Sequence, residues 1–168
     1  MEPLFVNSCT HSMRNLREML FASMGRWRII LYSAVGGFSI LTGALILTGG
    51  FDSSAFIMIL LGSLLLMLAY LRPLLLARST FRRNRVVTDG KELTPTELRF
   101  YDDRVVTYNP TVDHEITFSY DKFKRLRVTK HLYLIRLPEN LWLLVERGRF
   151  TAGNEAEFVN FIKDKIKK

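Results

Sequence analysis

The chain has 168 residues, a net charge of +8, 48% apolar residues and one cysteine, Cys9. A lone cysteine excludes an intrachain disulfide framework, and twelve Phe in an apolar-rich chain exclude disorder. The distribution excludes a purely soluble protein: from Ile29 to Leu71 the only charged side chain is Asp52.

Residues 1–28 form an N-terminal arm. Leu4-Phe5-Val6 has the composition of a short strand, and several helix-capping residue types lie between Asn7 and Ser12. Met13, Leu16, Leu20 and Met24 then fall on one helical face, with Arg14 and Arg17 towards another. The arm is expected to be an amphipathic helix that either lies in the membrane interface or packs on the soluble domain.

Residues 29–77 form the anchor. Ile29–Gly49 would span about 32 Å as a helix, enough for a hydrocarbon core of about 30 Å. Ala55–Leu71 supplies a second, shorter span, extended past Arg72 and Pro73 by Leu74–Ala77. Between them, Gly49-Gly50 stops one helix and Asp52, Ser53 or Ser54 caps the next, which gives an antiparallel hairpin. A cleaved signal peptide is disfavoured, because its apolar core would be shorter, nearer the N-terminus and not followed by a second span. The flanks carry Arg14, Arg17, Arg26 and Arg28 on one side and Arg72, Arg78, Arg82, Arg83 and Arg85 on the other, and the connecting loop carries no Lys or Arg. Both termini are therefore expected in the cytoplasm. Ser33, Gly36, Gly37, Ser39 and Gly43 recur in the first span at spacings that allow close helix contact. They serve either packing against the second span near Gly62 and Ser63, which is favoured, or oligomerisation.

Residues 78–168 form the third part. From Val86 onward there are 15 Lys or Arg against 13 Asp or Glu, so the high net charge belongs to the membrane flanks. That argues for anionic lipid and against nucleic acid. Short strands are expected at Glu97–Tyr101, Arg104–Tyr108, Glu115–Tyr120, Lys124–Thr129, Leu132–Leu137 and Leu141–Val145. Ile116, Phe118 and Tyr120 share one face, as do Leu126 and Val128, opposite Arg125 and Arg127. The period then changes: Phe158, Phe161, Ile162 and Ile166 make the stripe of a terminal helix that Thr151 or Asn154 can cap, Asn154 with Glu157 resembling a capping box. The fold class is a membrane α-helical hairpin plus a small α+β domain, an antiparallel partial barrel closed by its C-terminal helix. Phe158, Phe161 and Ile162 are expected to be buried against the strands that contain Phe118, Leu134 and Leu143.

Phe118-Ser119-Tyr120-Asp121, Leu132-Tyr133-Leu134-Ile135-Arg136-Leu137 and Leu141-Trp142-Leu143-Leu144-Val145, followed by Phe150 and the helix, carry a resemblance. In this order they resemble the YcxB-like family of bacterial membrane proteins, two transmembrane helices followed by a pleckstrin-homology-like (PH-like) β domain. The family pattern Ile-Pro-Lys-Arg-x-Phe is Val145-Glu146-Arg147-Gly148-Arg149-Phe150 here, without the proline. The resemblance implies no enzyme activity.

The residues themselves give no catalytic, cofactor or metal site. His11, His114 and His131 are far apart in sequence, Cys9 has no CxxC partner, and Asp102-Asp103 occupies a turn. No phosphate-binding or metalloprotease motif occurs. What remains is a run of positive charge, Lys122, Lys124, Arg125, Arg127 and Lys130. It is either an exposed face balanced by Asp113, Glu115, Asp121 and Glu139, or a lipid or acidic-partner site. In the second case Lys124, Arg125 and Arg127 would act together with Arg82, Arg83 and Arg85. The expected function is a non-enzymatic, membrane-anchored module of the bacterial inner membrane that binds a partner protein, anionic phospholipid or both. An oligomerising, membrane-perturbing effector is the alternative.

The charge asymmetry makes a direct prediction about topology. In intact cells, Ser53→Cys should react with a membrane-impermeant thiol reagent and Lys168→Cys should not; the reverse labelling would refute the orientation.

Overall fold

The computed structural model describes residues 2–87, 95–110 and 113–166, without the side chains of 84–87. They divide into two compact units, Leu20–Ser79, and Met1–Met19 together with Thr80–Lys168. In chain order the elements are β1 (Phe5–Cys9), α1 (Met13–Met24), α2 (Arg26–Thr48), α3 (Ser53–Leu66) and α4 (Arg72–Val87). Seven more strands follow: β2 (Thr96–Phe100), β3 (Arg104–Asn109), β4 (His114–Ser119), β5 (Arg125–Val128), β6 (Leu132–Arg136), β7 (Trp142–Glu146) and β8 (Phe150–Ala152). The last element is α5 (Glu155–Ile166).

The helical unit is a hairpin held together by small residues. Arg26–Thr48 and Ser53–Arg83 are each long and apolar enough to cross a membrane. Asp52 caps α3, its carboxylate accepting from the Ser54 amide at 2.8 Å. Gly36, Gly43, Ala55, Gly62, Ala69, Pro73 and Ala77 are buried, and Gly36 and Gly43 on one helix, like Ala55, Gly62 and Ala69 on the other, recur every seventh residue. A side chain on Gly62 would lie 2.5 Å from the Gly36 carbonyl, and one on Gly43 2.8 Å from the Ala55 carbonyl, so the backbones touch. Lipid tails are as apolar as leucine, so close backbone packing of this kind is what binds helices in a bilayer. Of the five residues expected on a contact face, Gly36 and Gly43 are buried in the hairpin. Ser33 bonds the Tyr70 hydroxyl at 2.7 Å, and Gly37 has open space where its side chain would be. Ser39 is half-buried.

The second span continues beyond its expected end. Met67–Leu71 is a π-helical turn, with the Arg72 amide bonding the Met67 carbonyl, and α4 runs on through the basic stretch. Pro73 lies two residues after that turn. Its ring would crowd the carbonyl four residues earlier, and a widened turn there accommodates it without breaking the helix.

The β unit has two sheets. One has five strands in the order β4-β3-β2-β1-β8, the other three in the order β5-β6-β7. The terminal-arm strand is therefore internal to the larger sheet, antiparallel to both β2 and β8. This resolves the two sequence expectations for the arm: residues to Met19 pack with the β unit. Of the apolar face expected on α1, Leu16 is buried and Met13, Leu20 and Met24 are half-buried. Cys9 pairs with Thr96, so the whole helical hairpin is inserted between two neighbouring strands.

Phe158 of α5 is the centre of the core, fully buried with ring centroids 4.9–5.5 Å from Phe5, Phe100, Phe150 and Tyr133. Ile162, Leu134 and Leu143 are buried as expected. Phe161 and Phe118 are only half-buried, because Phe161 lies at the edge against Tyr120 and Phe5, and β4 is an outer strand. Val128 is exposed for the same reason, on the outer strand β5. Asn154 caps α5 by accepting from the Ala156 amide at 3.1 Å, while its own amide donates to Glu157.

Because β1 is internal to the sheet, residues 95–168 alone lack a central strand. Residues 2–19 joined to 95–168 by a short Gly/Ser linker should fold cooperatively, and 95–168 by itself should not. Circular dichroism and denaturant unfolding distinguish the two outcomes.

Candidate functional site: an apolar cleft with an arginine rim

The site follows from strand register. In the larger sheet, cross-strand pairing puts Cys9, Thr96, Leu98, Thr107, Asn109, His114, Ile116 and Phe118 on one face. In the smaller sheet it puts Arg125, Arg127, Arg136, Trp142 and Leu144 on one face. The larger-sheet residues, with Trp142, Leu143 and Leu144, line a cleft of about 350 Å³. That is the size of a small ligand site, with room for on the order of ten water-sized groups.

One wall is continuous with the core, since Leu98 and Cys9 are nearly inaccessible to solvent. The other is open at β4, where Ile116 remains 45% exposed. Trp142 carries the Arg127 guanidinium over its ring at 5.9 Å from the centroid. Arg125 lies directly across from Arg136. Burial first, then the neighbouring Arg125 and Arg136, holds the Arg127 guanidinium below the usual arginine range. An apolar cleft thus adjoins a crowded cationic rim.

Of the sequence candidates, Arg125 and Arg127 share that rim. Lys124 precedes β5, and strand alternation points it to the opposite face. Arg82 and Arg83 are exposed on α4, and the Arg85 side chain lies outside the described residues. Arg136 is the residue that sequence reasoning missed. It is embedded in an apolar strand, and only the β5–β6 register reveals that it completes the cluster.

The remaining candidates are accounted for. Asp102 accepts an ion pair from Lys165 at 2.7 Å. His131 pairs with Glu18 at 2.8 Å, which ties α1 to the β5–β6 turn. The Glu18 carboxyl is held below its usual range by hydrogen bonds from Thr129 and His131, which outweigh its partial burial. His11 and His114 line the cleft, and burial lowers the His11 pKa. Among the described residues, no group of three His, Cys, Asp or Glu side chains could hold a metal ion.

Comparison of the chain with family profiles, curated proteins and solved structures found no match. The resemblance to the YcxB-like family therefore stands on the residues quoted for it alone.

Cys9 sits at the closed end of the cleft, and burial, reinforced by Glu146, pushes its thiol up to about 12. It is a packing residue, since the thiolate is the nucleophile. Iodoacetamide at pH 8 should leave Cys9 unmodified in the native protein and alkylate it after denaturation, as read by mass spectrometry.

Proposed function

We propose that this chain is a membrane-anchored, non-enzymatic binding module. Its PH-like β domain faces the cytoplasm from the bacterial inner membrane, and its cleft takes an extended acidic segment of a partner protein that carries apolar side chains. The observation that carries this reading is the juxtaposition at β4. An outer strand leaves Ile116 and Phe118 open beside Trp142, and Arg125, Arg127 and Arg136 stand on the facing sheet. Main-chain pairing along an outer strand supplies affinity, and adjoining pockets and charges supply specificity. The inserted hairpin supports the topology. Because β1 and β2 are neighbours, the segments before and after the two spans lie on one side of the membrane, and the arginine bias makes that side the cytoplasm.

A second reading draws on two of these guanidiniums and their neighbours: Arg125 and Arg127, with Lys124, Arg82, Arg83 and Arg85, orient the tethered domain on anionic lipid. The oligomerising-effector alternative has less support, since Gly36 and Gly43 are taken up inside the hairpin.

The test places a photo-crosslinking amino acid at Ile116, or at Val128 on the opposite face, in the full chain in native membranes. A discrete protein adduct is expected at 116, absent at 128, and lost when Arg125→Glu and Arg127→Glu reverse the rim. Lipid adducts alone at 116 would favour the orientation reading, and a protein adduct insensitive to charge reversal would refute the site.

A further inference from the structure

A second cavity, of about 190 Å³, lies wholly within the helical unit, between the end of α1, the start of α2 and the π turn with Pro73. Arg28 and Arg72 both line it, together with Tyr32, Ser23 and the apolar Leu68 and Leu76. Neither arginine has an ion pair or side-chain hydrogen bond among the described residues, and the only acidic residue of this unit, Asp52, caps the far end of the hairpin. Arg28 and Arg72 are both exposed, and two like-charged side chains that line one small cavity repel each other unless an anion lies between them.

Three further features point the same way. Gly25, with φ of 80°, separates α1 from α2 and offers no side-chain cap, so the first amides of α2 add positive potential beside Arg28. The irregular turn Met67–Leu71 contributes Leu68 to the cavity wall and is followed there by Pro73, and π turns of this kind recur at functional sites. Trp27 is 81% exposed next to Arg28, and Tyr32 and Tyr70 lie at the same end of the hairpin. Exposed Trp and Tyr at the end of an apolar span mark headgroup depth.

We infer that the cavity between Arg28 and Arg72 is a binding site for the phosphate of an anionic glycerophospholipid of the surrounding bilayer. The guanidiniums hold the phosphate by charge-assisted hydrogen bonds, and the acyl chains follow the apolar surface beside Leu68 and Leu76. The inference depends on the helices spanning a bilayer but is independent of what the β-domain cleft binds.

The test is native mass spectrometry of the full chain in detergent, titrated with phosphatidylglycerol or phosphatidylcholine. One phosphatidylglycerol should be retained, on the order of tenfold more tightly than phosphatidylcholine, and millimolar inorganic phosphate should not displace it. The preference should vanish in Arg28→Gln/Arg72→Gln and survive in Arg26→Gln/Arg78→Gln, which removes the same charge outside the cavity. Arg28→Lys/Arg72→Lys, which keeps the charge, should retain part of it and guards against a folding defect. Equal retention of the two lipids, or equal loss in both glutamine variants, would overturn the site. Displacement by inorganic phosphate would show a general anion site in place of a lipid site.

Discussion

Asn7 commits its whole side-chain amide to the backbone of one residue, Glu146. Its Nδ2 donates to the Glu146 carbonyl at 2.7 Å, and its Oδ1 accepts from the Glu146 amide at 3.0 Å. Asn7 is fully buried, so this pair bonds the larger sheet to the smaller as a strand neighbour would. Each of the two backbone groups, left unpaired in the interior, would cost about 1–3 kcal/mol. The Glu146 carboxylate is then met from α1 and its approach, by Arg14 at 3.2 Å and by Asn15 and the Thr10 amide at 3.3 Å. A largely buried carboxylate is tolerated because all of these donors converge on it. A proline at position 146 would remove this arrangement. Proline has no amide hydrogen, so neither this bond nor the carboxylate cluster would be available to it.

The constraint reaches the helical hairpin through connectivity. The chain leaves the sheet at Cys9 and returns beside it at Thr96. A segment that leaves and re-enters one strand pair crosses a bilayer an even number of times or not at all, and two spans satisfy that condition. The hairpin is thus an insertion in the β unit, and loss of β1 from the sheet would disturb both the core and the point from which the hairpin leaves.

Much of this fold was legible in the sequence, and the failures have physical causes. The spans, the six expected strands and α5 were read from composition and period, because burial imposes those periods locally. The place of β1 was not legible: Leu4-Phe5-Val6 reads as a strand, but its partners are separated from it by the whole anchor. β8, three residues long, is too short to show a period. The alternation of Ile116 and Phe118 was read correctly, and its meaning was not. Alternation reports which side chains share a face, whereas the burial of that face depends on whether a neighbouring strand covers it. Arg125 and Arg127 were visible as a charge run. Arg136 and the apolar cleft beside it exist only through register. Small-residue spacing likewise suggested two uses for the first span, and only the contact of Gly36 with Gly62 assigned one.

An open apolar strand at a sheet edge is normally a liability that proteins blunt with charges, proline, a bulge or a covering element. β4 carries Glu115 but neither proline nor lysine, and the Thr107 hydroxyl occupies the Ile116 carbonyl at 2.9 Å. What stands across the cleft is the arginine cluster, which changes what the edge can accept. A second copy approaching β4 would bring its own Arg125, Arg127 and Arg136 towards these three, and like charges in a partly desolvated cleft repel. An acidic segment meets the opposite potential at the same place. On the function proposed above, the rim therefore does two things at once: it discourages self-pairing along the one strand most exposed to it, and it selects among the partners that remain.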